Sequence, residues 1–226
     1  MKILFFLWIP FFCFAQEIKP IDKSLTEIDS LYREDQFYMG LSYNLMQNKP
    51  ADFTQNGFSA GINFGFMRDM PINKKRTWAI ATGLGYSYNN LKQNIRIENN
   101  NSNYNYSIDG GFDKNKLVLH YLELPIEVRW RNSTPESHKF WRIYTGFKLN
   151  YLISSLSKFK STTETITVRN NSSLNKLVFG PYLAIGYNSI NIYTYYALTP
   201  IAKDQKIGEQ DLNLNSFNIG FQFYIL

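Results

Sequence analysis

Cysteine and histidine are nearly absent from this chain, with one Cys and two His among 226 residues. The cysteine, Cys13, lies in an N-terminal apolar segment that we expect to be removed, so neither a disulfide framework nor thiol chemistry is available. Clusters of His and Cys at metal-binding spacing, glycine-rich phosphate loops and nucleophile elbows do not occur in the sequence. We therefore expect no metal, no cofactor and no enzymatic activity.

Long hydrophobic runs are also lacking, because no stretch after residue 15 approaches the roughly 18 apolar residues of a membrane-spanning helix. The apolar run 3–12 follows Lys2 and precedes Ala15, which is the pattern of a secretory signal peptide. We predict a signal peptide at 1–15, cleaved after Ala15. Phe11 and Phe12, which precede Cys13, are too bulky for a lipidation site.

Charge is modest and scattered. Removal of Lys2 leaves 23 cationic and 18 anionic residues, a net charge of 23 − 18 = +5, and only residues 74–76 form a basic cluster. This distribution favours a basic loop beside acidic lipid headgroups, and we expect no nucleic acid partner.

Aromatic residues are abundant, at 17% of the chain, and the C-terminal segment 215–226 alternates with a period of two. One face of this segment is apolar throughout, which is typical of an outer-membrane barrel strand covered by lipid. An edge strand of a soluble sandwich is the alternative. The spacing of four residues is similar to the C-terminal signal that the barrel-insertion machinery reads: Asn218, Gly220, Phe223 and Ile225.

Eight segments of about 9–11 residues alternate in the same way, and this is the length that a tilted strand needs to cross a bilayer. We place these strands near 37–46, 57–67, 77–88, 118–130, 140–152, 176–187, 190–198 and 215–226. Long connections, among them 89–117 and 153–175, follow the odd strands, and shorter ones, 68–76, 131–139 and 188–189, follow the even strands. The pattern predicts an all-β fold: a closed, antiparallel, eight-stranded outer-membrane barrel at 37–226, with a periplasmic N-terminus.

Glycine and tryptophan support this assignment of faces. When the apolar face is assigned to lipid, nine glycines fall on the inner face, where a narrow barrel requires small side chains: Gly40, Gly61, Gly65, Gly83, Gly85, Gly146, Gly180, Gly186 and Gly220. Trp78, Trp130 and Trp141 point outward at the periplasmic strand ends, as an interfacial aromatic girdle does.

Residues 16–36 form a leader between the signal peptide and the barrel. Ser24 and Glu27 have capping-box spacing, and an apolar stripe follows on one helical face: Leu25, Ile28, Leu31 and Tyr32. The stripe indicates a short periplasmic helix that docks on a partner or on the barrel mouth. A weakly ordered linker resting on the barrel rim is the alternative.

The predicted inner face carries charge. Glu123, Glu127 and Arg129 on the fourth strand face Arg142 and Lys148 on the fifth. The set predicts either a selectivity or proton-handling site, or a structural ionic plug, since isolated charges in a narrow lumen are costly. The two glutamates lie about 13 Å apart along one strand, too far for a glycosidase pair. His120 points outward near the external end, with no outward serine evident beside it.

Two prolines, Pro125 and Pro181, fall inside predicted strands, where each marks a bulge or a local break in pairing. Segment 121–127, Tyr-Leu-Glu-Leu-Pro-Ile-Glu, resembles the Tyr-Leu-Glu-(Ile/Leu)-Pro motif of the PorT-like outer-membrane barrels of Bacteroidetes. Segment 179–182, Phe-Gly-Pro-Tyr, followed by Gly186, is similar to that family's Gly-x-Gly-Pro-Tyr segment, although Phe179 interrupts the usual small residues.

The resemblance implies a role in type IX protein secretion, with secretion-system subunits as partners beside outer-membrane lipid. Two alternatives remain open. One is a structural or surface-binding barrel whose loops 89–117 and 153–175 contact a ligand or host. The other is an outer-leaflet lipid-modifying enzyme, for which the sequence offers no site.

Overall fold

The computed structural model describes residues 35–55, 57–101, 103–132 and 140–225. The predicted signal peptide and nearly all of the leader, including the stripe of Leu25, Ile28, Leu31 and Tyr32, lie outside the described residues. The boundaries at residues 15 and 36 therefore stay predictions, although the first strand already begins at Gln36. Within the described ranges, no helix is long and apolar enough to cross a membrane.

Alternating apolar and polar residues form strands throughout the described chain. In chain order the strands are β1 (Gln36–Gln47), β2 (Ala60–Pro71), β3 (Trp78–Lys92), β4 (Ile95–Asn100), β5 (Asn103–Ile108), β6 (Lys114–Arg131), β7 (Trp141–Lys160), β8 (Thr165–Arg169), β9 (Leu177–Tyr187), β10 (Ile190–Tyr196), β11 (Lys206–Ile207), β12 (Gln210–Asp211) and β13 (Asn215–Ile225).

Eight of these strands close into a barrel. Their order is β6-β3-β2-β1-β13-β10-β9-β7, and β7 pairs with β6 to complete the ring. The last strand pairs antiparallel with the first along its whole length, from Ile225 opposite Phe37 to Asn215 opposite Gln47. The predicted fold, a closed antiparallel eight-stranded barrel, is confirmed.

The barrel wall has an apolar outer face and a mixed inner face. Outward side chains such as Phe37, Phe147 and Ile192 are 59–62% exposed, whereas their strand neighbours facing inward are buried. Such a wall is stable only where lipid covers it. We call the end that carries Trp78, Trp130 and Trp141 the turn end, and the opposite end, which carries β4, β5, β8, β11 and β12, the loop end.

The long connections contain more structure than the sequence predicted. Segment 89–117 holds the end of β3, the β4–β5 hairpin and the start of β6, while β7 runs on to Lys160 and pairs there with β8. The sequence predicts connections between strands in these segments, which contain many polar residues such as asparagine. The hairpin forms because Ile95, Ile97 and Tyr106 alternate with those polar residues and bury their side chains in a shared core.

The two prolines interrupt pairing without causing bulges. The β3–β6 ladder is broken between the Thr82–Ile126 and Gly85–Glu123 pairs, opposite Pro125, where the Thr82 hydroxyl donates to the Pro125 carbonyl at 3.2 Å. The β9–β10 ladder ends at Tyr182, directly after Pro181. The register shift between β6 and β7 lies instead between His120 and Tyr121.

Candidate functional site: the ionic lumen and the loop-end cap

The inner face holds two ionic clusters, and the first lies in the middle of the barrel. Lys148 Nζ is 3.1 Å from Glu123 Oε2 and donates to the Tyr193 hydroxyl at 2.9 Å. The Tyr38 hydroxyl donates to the same carboxylate oxygen at 3.2 Å. All four side chains are buried. We call this set, Tyr38, Glu123, Lys148 and Tyr193, the central cluster.

Strand register brings the central cluster together. Glu123 on β6 lies opposite Asn150 on β7, and Lys148 lies opposite Pro125, so the two charges are diagonal neighbours on one face. Tyr38 reaches the carboxylate from β1, because Gly65 and Gly85, opposite each other on β2 and β3, leave its path open. A methyl group on Gly85 would overlap the Tyr38 hydroxyl.

The second cluster lies at the turn end. Arg129 Nε donates to Glu127 Oε1 at 2.6 Å and Arg129 Nη1 to Asp69 Oδ1 at 3.0 Å. Arg131 binds both oxygens of Asp69, at 2.9 and 2.8 Å, and the Tyr182 hydroxyl donates to Glu127 Oε2 at 2.6 Å. The four charged side chains are fully buried or nearly so. We call this set, Asp69, Glu127, Arg129, Arg131 and Tyr182, the turn-end cluster.

The predicted lumen residues are therefore all buried inside the barrel, and Glu123 pairs with Lys148 across the two strands as expected, but the other partners differ. Glu127 pairs with Arg129 on its own strand. Arg142 makes no ion pair within the described residues; its guanidinium carbon lies 4.5 Å from the centre of the Phe140 ring. Nε and Nη1 of Arg142 are buried and lack a hydrogen-bond partner among the described residues.

Sequence reasoning missed Asp69 and Arg131, because both were assigned to turns. The strands continue past the predicted ends, to Pro71 and Arg131. Strand parity is the signal that finds these residues: Asp69 follows the inward Met67 by two positions, and Arg131 follows the inward Arg129 by two. Extending the alternation by one pair would have completed the turn-end cluster.

This arrangement fills the barrel. Each cluster matches its carboxylates with an equal number of cations, and cations and tyrosine hydroxyls bind Glu123 Oε2 and both oxygens of Asp69 and Glu127, which makes buried charge tolerable. A cavity of about 40 Å³ lies beside the central cluster and is lined by residues such as Asn63, Ser87 and Tyr195. By volume it holds about three water molecules. The geometry is that of a plug rather than a pore.

Above the lumen, the loop end carries a second core, which we call the cap. Ile95, Ile97 and Tyr106 from the β4–β5 hairpin pack with Leu174 and Leu212 from later connections. Polar contacts join the loops: Asn171 Nδ2 donates to the Tyr106 hydroxyl at 2.8 Å and Asn115 Nδ2 to the Ile95 carbonyl at 2.8 Å. Burial raises the pKa of the Tyr106 phenol, so this contact is between neutral groups. The cap closes the loop end of the barrel.

His120 lies on the outer wall. Its Nδ1 is 2.5 Å from the Tyr86 hydroxyl, and its ring contacts Tyr88 edge-on. The register shift places Ser154 opposite His120, a neighbour that the sequence did not reveal, and the Ser154 hydroxyl donates to Asn170 Oδ1 at 3.2 Å. Among the described residues, no group of three or more His, Cys, Asp or Glu side chains could hold a metal ion.

The remaining sequence-predicted residues lie on the outer wall or on the last strand. Trp78 and Trp130 are directly opposed, and the Trp141 ring lies 5.5 Å from that of Tyr187. The four residues of the predicted insertion signal each pair with a β1 residue: Asn218 with Asn44, Gly220 with Ser42, Phe223 with Met39 and Ile225 with Phe37. Their recognition by the insertion machinery stays a prediction.

A family model described as "Outer membrane protein beta-barrel domain" matches residues 14–203. The chain belongs to this family. An outer-membrane location follows for this barrel, while its orientation and any role in secretion do not. No curated protein matches the chain.

Two solved structures show a similar layout. A crystal structure of Ail, the attachment invasion locus protein of Yersinia pestis, in complex with the heparin analogue sucrose octasulfate, has 12% identity and a TM-score of 0.42, covering 86% of this chain and 100% of Ail. A second crystal structure of Ail has 10% identity and a TM-score of 0.34, covering 85% of this chain and 100% of Ail.

Proposed function

We propose that this protein is a non-conducting, non-enzymatic outer-membrane barrel that acts as a surface-binding protein through its cap. The turn end faces the periplasm and the loop end faces outside, the usual orientation of barrels with short periplasmic turns and long external loops. The N-terminus is then periplasmic, because β1 begins at the turn end.

The observation that carries this proposal is the buried core of the cap. Lipid covers the outer face of the barrel wall and the ionic clusters cover its inner face. A barrel alone therefore does not need a second core of Ile97, Tyr106 and Leu174. Such a core holds the exposed loop tips in one geometry, which reduces the entropy lost when a ligand binds. The tip of the β4–β5 hairpin presents exposed Asn100 and Asn103, directly opposed on the two strands.

The test is a comparison of the wild type with two variants in lipid nanodiscs. The cap variant carries Asn100→Ala, Asn103→Ala and Asn105→Ala. The control carries Lys74→Ala and Lys75→Ala at the turn end. Labelled proteins are applied to arrays of purified polysaccharides and extracellular proteins. We expect at least one array member to bind the wild type and the control but to lose binding to the cap variant. Equal binding of all three proteins to every member would contradict the proposal.

A second candidate is an accessory role in type IX secretion, which the resemblance to PorT-like barrels suggests. It is supported by one contact: Glu127 from the first motif and Tyr182 from the second meet at 2.6 Å in the turn-end cluster. Two segments that carry the resemblance thus form one unit. In this candidate, secretion-system subunits approach from the periplasm and contact the leader.

Leader substitutions test the secretion role. Ile28→Asp with Leu31→Asp places charge on the predicted apolar stripe, whereas Thr26→Asp with Ser30→Asp places the same charge on the opposite helical face. We expect secretion of type IX substrates to fall in the stripe variant only, at equal membrane levels of both proteins. Normal secretion in the stripe variant and in a gene deletion would remove this candidate.

A further inference from the structure

Five lysines are brought together on the outer face of three neighbouring strands, just beyond the apolar wall. Lys116 on β6 lies directly opposite Lys92 on β3 and Lys158 on β7. One pair further towards the loop end, Lys114 lies directly opposite Lys160. We call this set, Lys92, Lys114, Lys116, Lys158 and Lys160, the lysine patch. Arg169 on β8 faces the same side, opposite Leu156.

This register is unfavourable in the absence of an anion. Directly opposed side chains have Cβ atoms about 5 Å apart, and like charges at that spacing repel. The ion pairs of the loop end lie elsewhere within the described residues: Arg96 with Glu98, Asp109 and Glu164, and Lys206 with Asp211. Asp113, next to Lys114 in the chain, forms no ion pair with the patch among the described residues. The three like-charge pairs, Lys116–Lys92, Lys116–Lys158 and Lys114–Lys160, therefore have no anionic partner in the part of the chain that the structure describes.

The position of the patch identifies the anion. The aromatic residues Tyr86, Tyr88 and Tyr151, with His120, end the apolar wall on these strands, at the level where interfacial aromatics meet lipid headgroups. Lys116 lies four residues beyond His120 along β6, and Lys114 six. With a rise of about 3.4 Å per residue and a tilt of about 40°, the lysines lie roughly 10–16 Å above the aromatic level. That height is within the sugar and phosphate layer of an outer-leaflet glycolipid.

We propose that the lysine patch is a binding site for the phosphate groups of an outer-leaflet glycolipid of the lipid A type. The ammonium groups are flexible point charges on long stems, which suit phosphates without requiring a fixed geometry. A soluble polyanion is a weaker fit, because the patch lies on the outside of the wall, directly above lipid, and not on the exposed top of the cap. This inference rests on the orientation proposed above, with the loop end outside, and not on the surface-binding role of the cap.

Native mass spectrometry of the mature protein with purified lipid A tests the site. The patch variant carries Lys116→Gln, Lys158→Gln and Lys160→Gln. The control carries Lys49→Gln, Lys176→Gln and Lys203→Gln, which remove the same charge from exposed lysines elsewhere at the loop end. Each lysine near an anionic surface contributes about fivefold in binding, so we expect the patch variant to lose about 100-fold in affinity. The control stays within about threefold of the wild type.

Three further measurements make the result decisive. A Lys→Arg variant at the same three positions keeps the affinity of the wild type, because it keeps the charge. The comparison of phosphorylated with dephosphorylated lipid A on the wild type holds even if the Gln variant folds poorly. Dephosphorylated lipid A binds the wild type as weakly as phosphorylated lipid A binds the patch variant. Equal affinity of wild type and patch variant, equal affinity for dephosphorylated lipid, or patch-dependent binding of soluble dextran sulfate without lipid A binding would each overturn the proposal.

Discussion

Replacing Lys148 with methionine tests whether the central cluster is a buried ionic plug that bulk water does not screen. The side chain is 4% exposed and its ammonium is shared by Glu123 and Tyr193. Methionine keeps most of the volume and removes the charge, which leaves the Glu123 carboxylate with the Tyr38 hydroxyl. Breaking a buried ion pair from one side costs about 3–5 kcal/mol of unfolding free energy, because an uncompensated charge stays buried.

The Glu123→Gln variant removes the other partner, and the double variant removes both. We expect each single variant to lose about 3–5 kcal/mol and the double variant to lose less than the sum, by a coupling of about 1–3 kcal/mol. Lys206→Met is the control. Lys206 lies 3.6 Å from Asp211, but both side chains are about 65% exposed, so this pair contributes roughly 0–1 kcal/mol.

The assay is equilibrium unfolding in urea of the mature barrel folded into lipid vesicles. Fluorescence of Trp78, Trp130 and Trp141 reports unfolding, and the gel mobility of unboiled samples reports barrel closure. Single variants that lose no more than Lys206→Met, with additive effects in the double variant, would show that water screens the pair. The lumen would then be hydrated, and the ionic plug would be wrong.

Two further predictions concern space inside the barrel. Gly85→Ala should lower the unfolding free energy by about 1–3 kcal/mol, since the new methyl group meets the Tyr38 hydroxyl and lies 2.8 Å from the Phe64 carbonyl. The control is Gly110→Ala, whose methyl group has no atom within 4 Å. Equal stability of the two variants would contradict the packing argument. In planar bilayers the purified barrel should give no steady open current, because the two clusters, the inward tyrosines and the cap fill the lumen and the loop end; porin-sized steps would refute this.

Much of the barrel was predictable because the physics of the wall is simple. Lipid outside and a narrow lumen inside impose a period of two, so that the number of strands, the closure and the facing of Trp78 or Glu123 follow from alternation alone. Strand ends were predicted less well. Asp69 and Arg131 were assigned to turns because the predicted strands ended at residues 67 and 130, although strand parity places both side chains inward and their burial in the lumen agrees.

Pairing partners were harder still. Strand parity places Arg142 on the same inner face as Glu127, but it does not determine which cation binds each carboxylate. The choice depends on side-chain reach across a curved wall: Arg129 bends back to Glu127 on its own strand, while Arg142 stacks on Phe140. The Ser154–His120 neighbour pair was not predicted for another reason. The two residues lie opposite each other only because β7 has one extra residue there.

The cap could not be predicted from the same alternation, because its strands are polar outside and apolar inside, the reverse of the barrel wall. Along β6 the outward positions change from Leu122 and Leu124 in the wall to Lys116 and Lys114 beyond it, while the inward positions change from Glu123 to Leu119 and Leu117. The strand keeps its phase, but the medium outside changes from lipid to water and the interior changes from an ionic lumen to an apolar core.

On β7 the extra residue at Ile153 also shifts the phase, so that inward positions pass from Asn150 and Leu152 to Ser155, Ser157 and Phe159. A period-two search that expects apolar residues outside therefore stops near residues 120 and 153. These positions are close to the start of the predicted strand 118–130 and the end of the predicted strand 140–152. The same inversion places the lysines of the patch outside and the isoleucines of the cap inside. An exchange of the polar and apolar faces, with or without a shift in the period-two alternation, is thus a sequence signal for the level at which these strands leave the membrane.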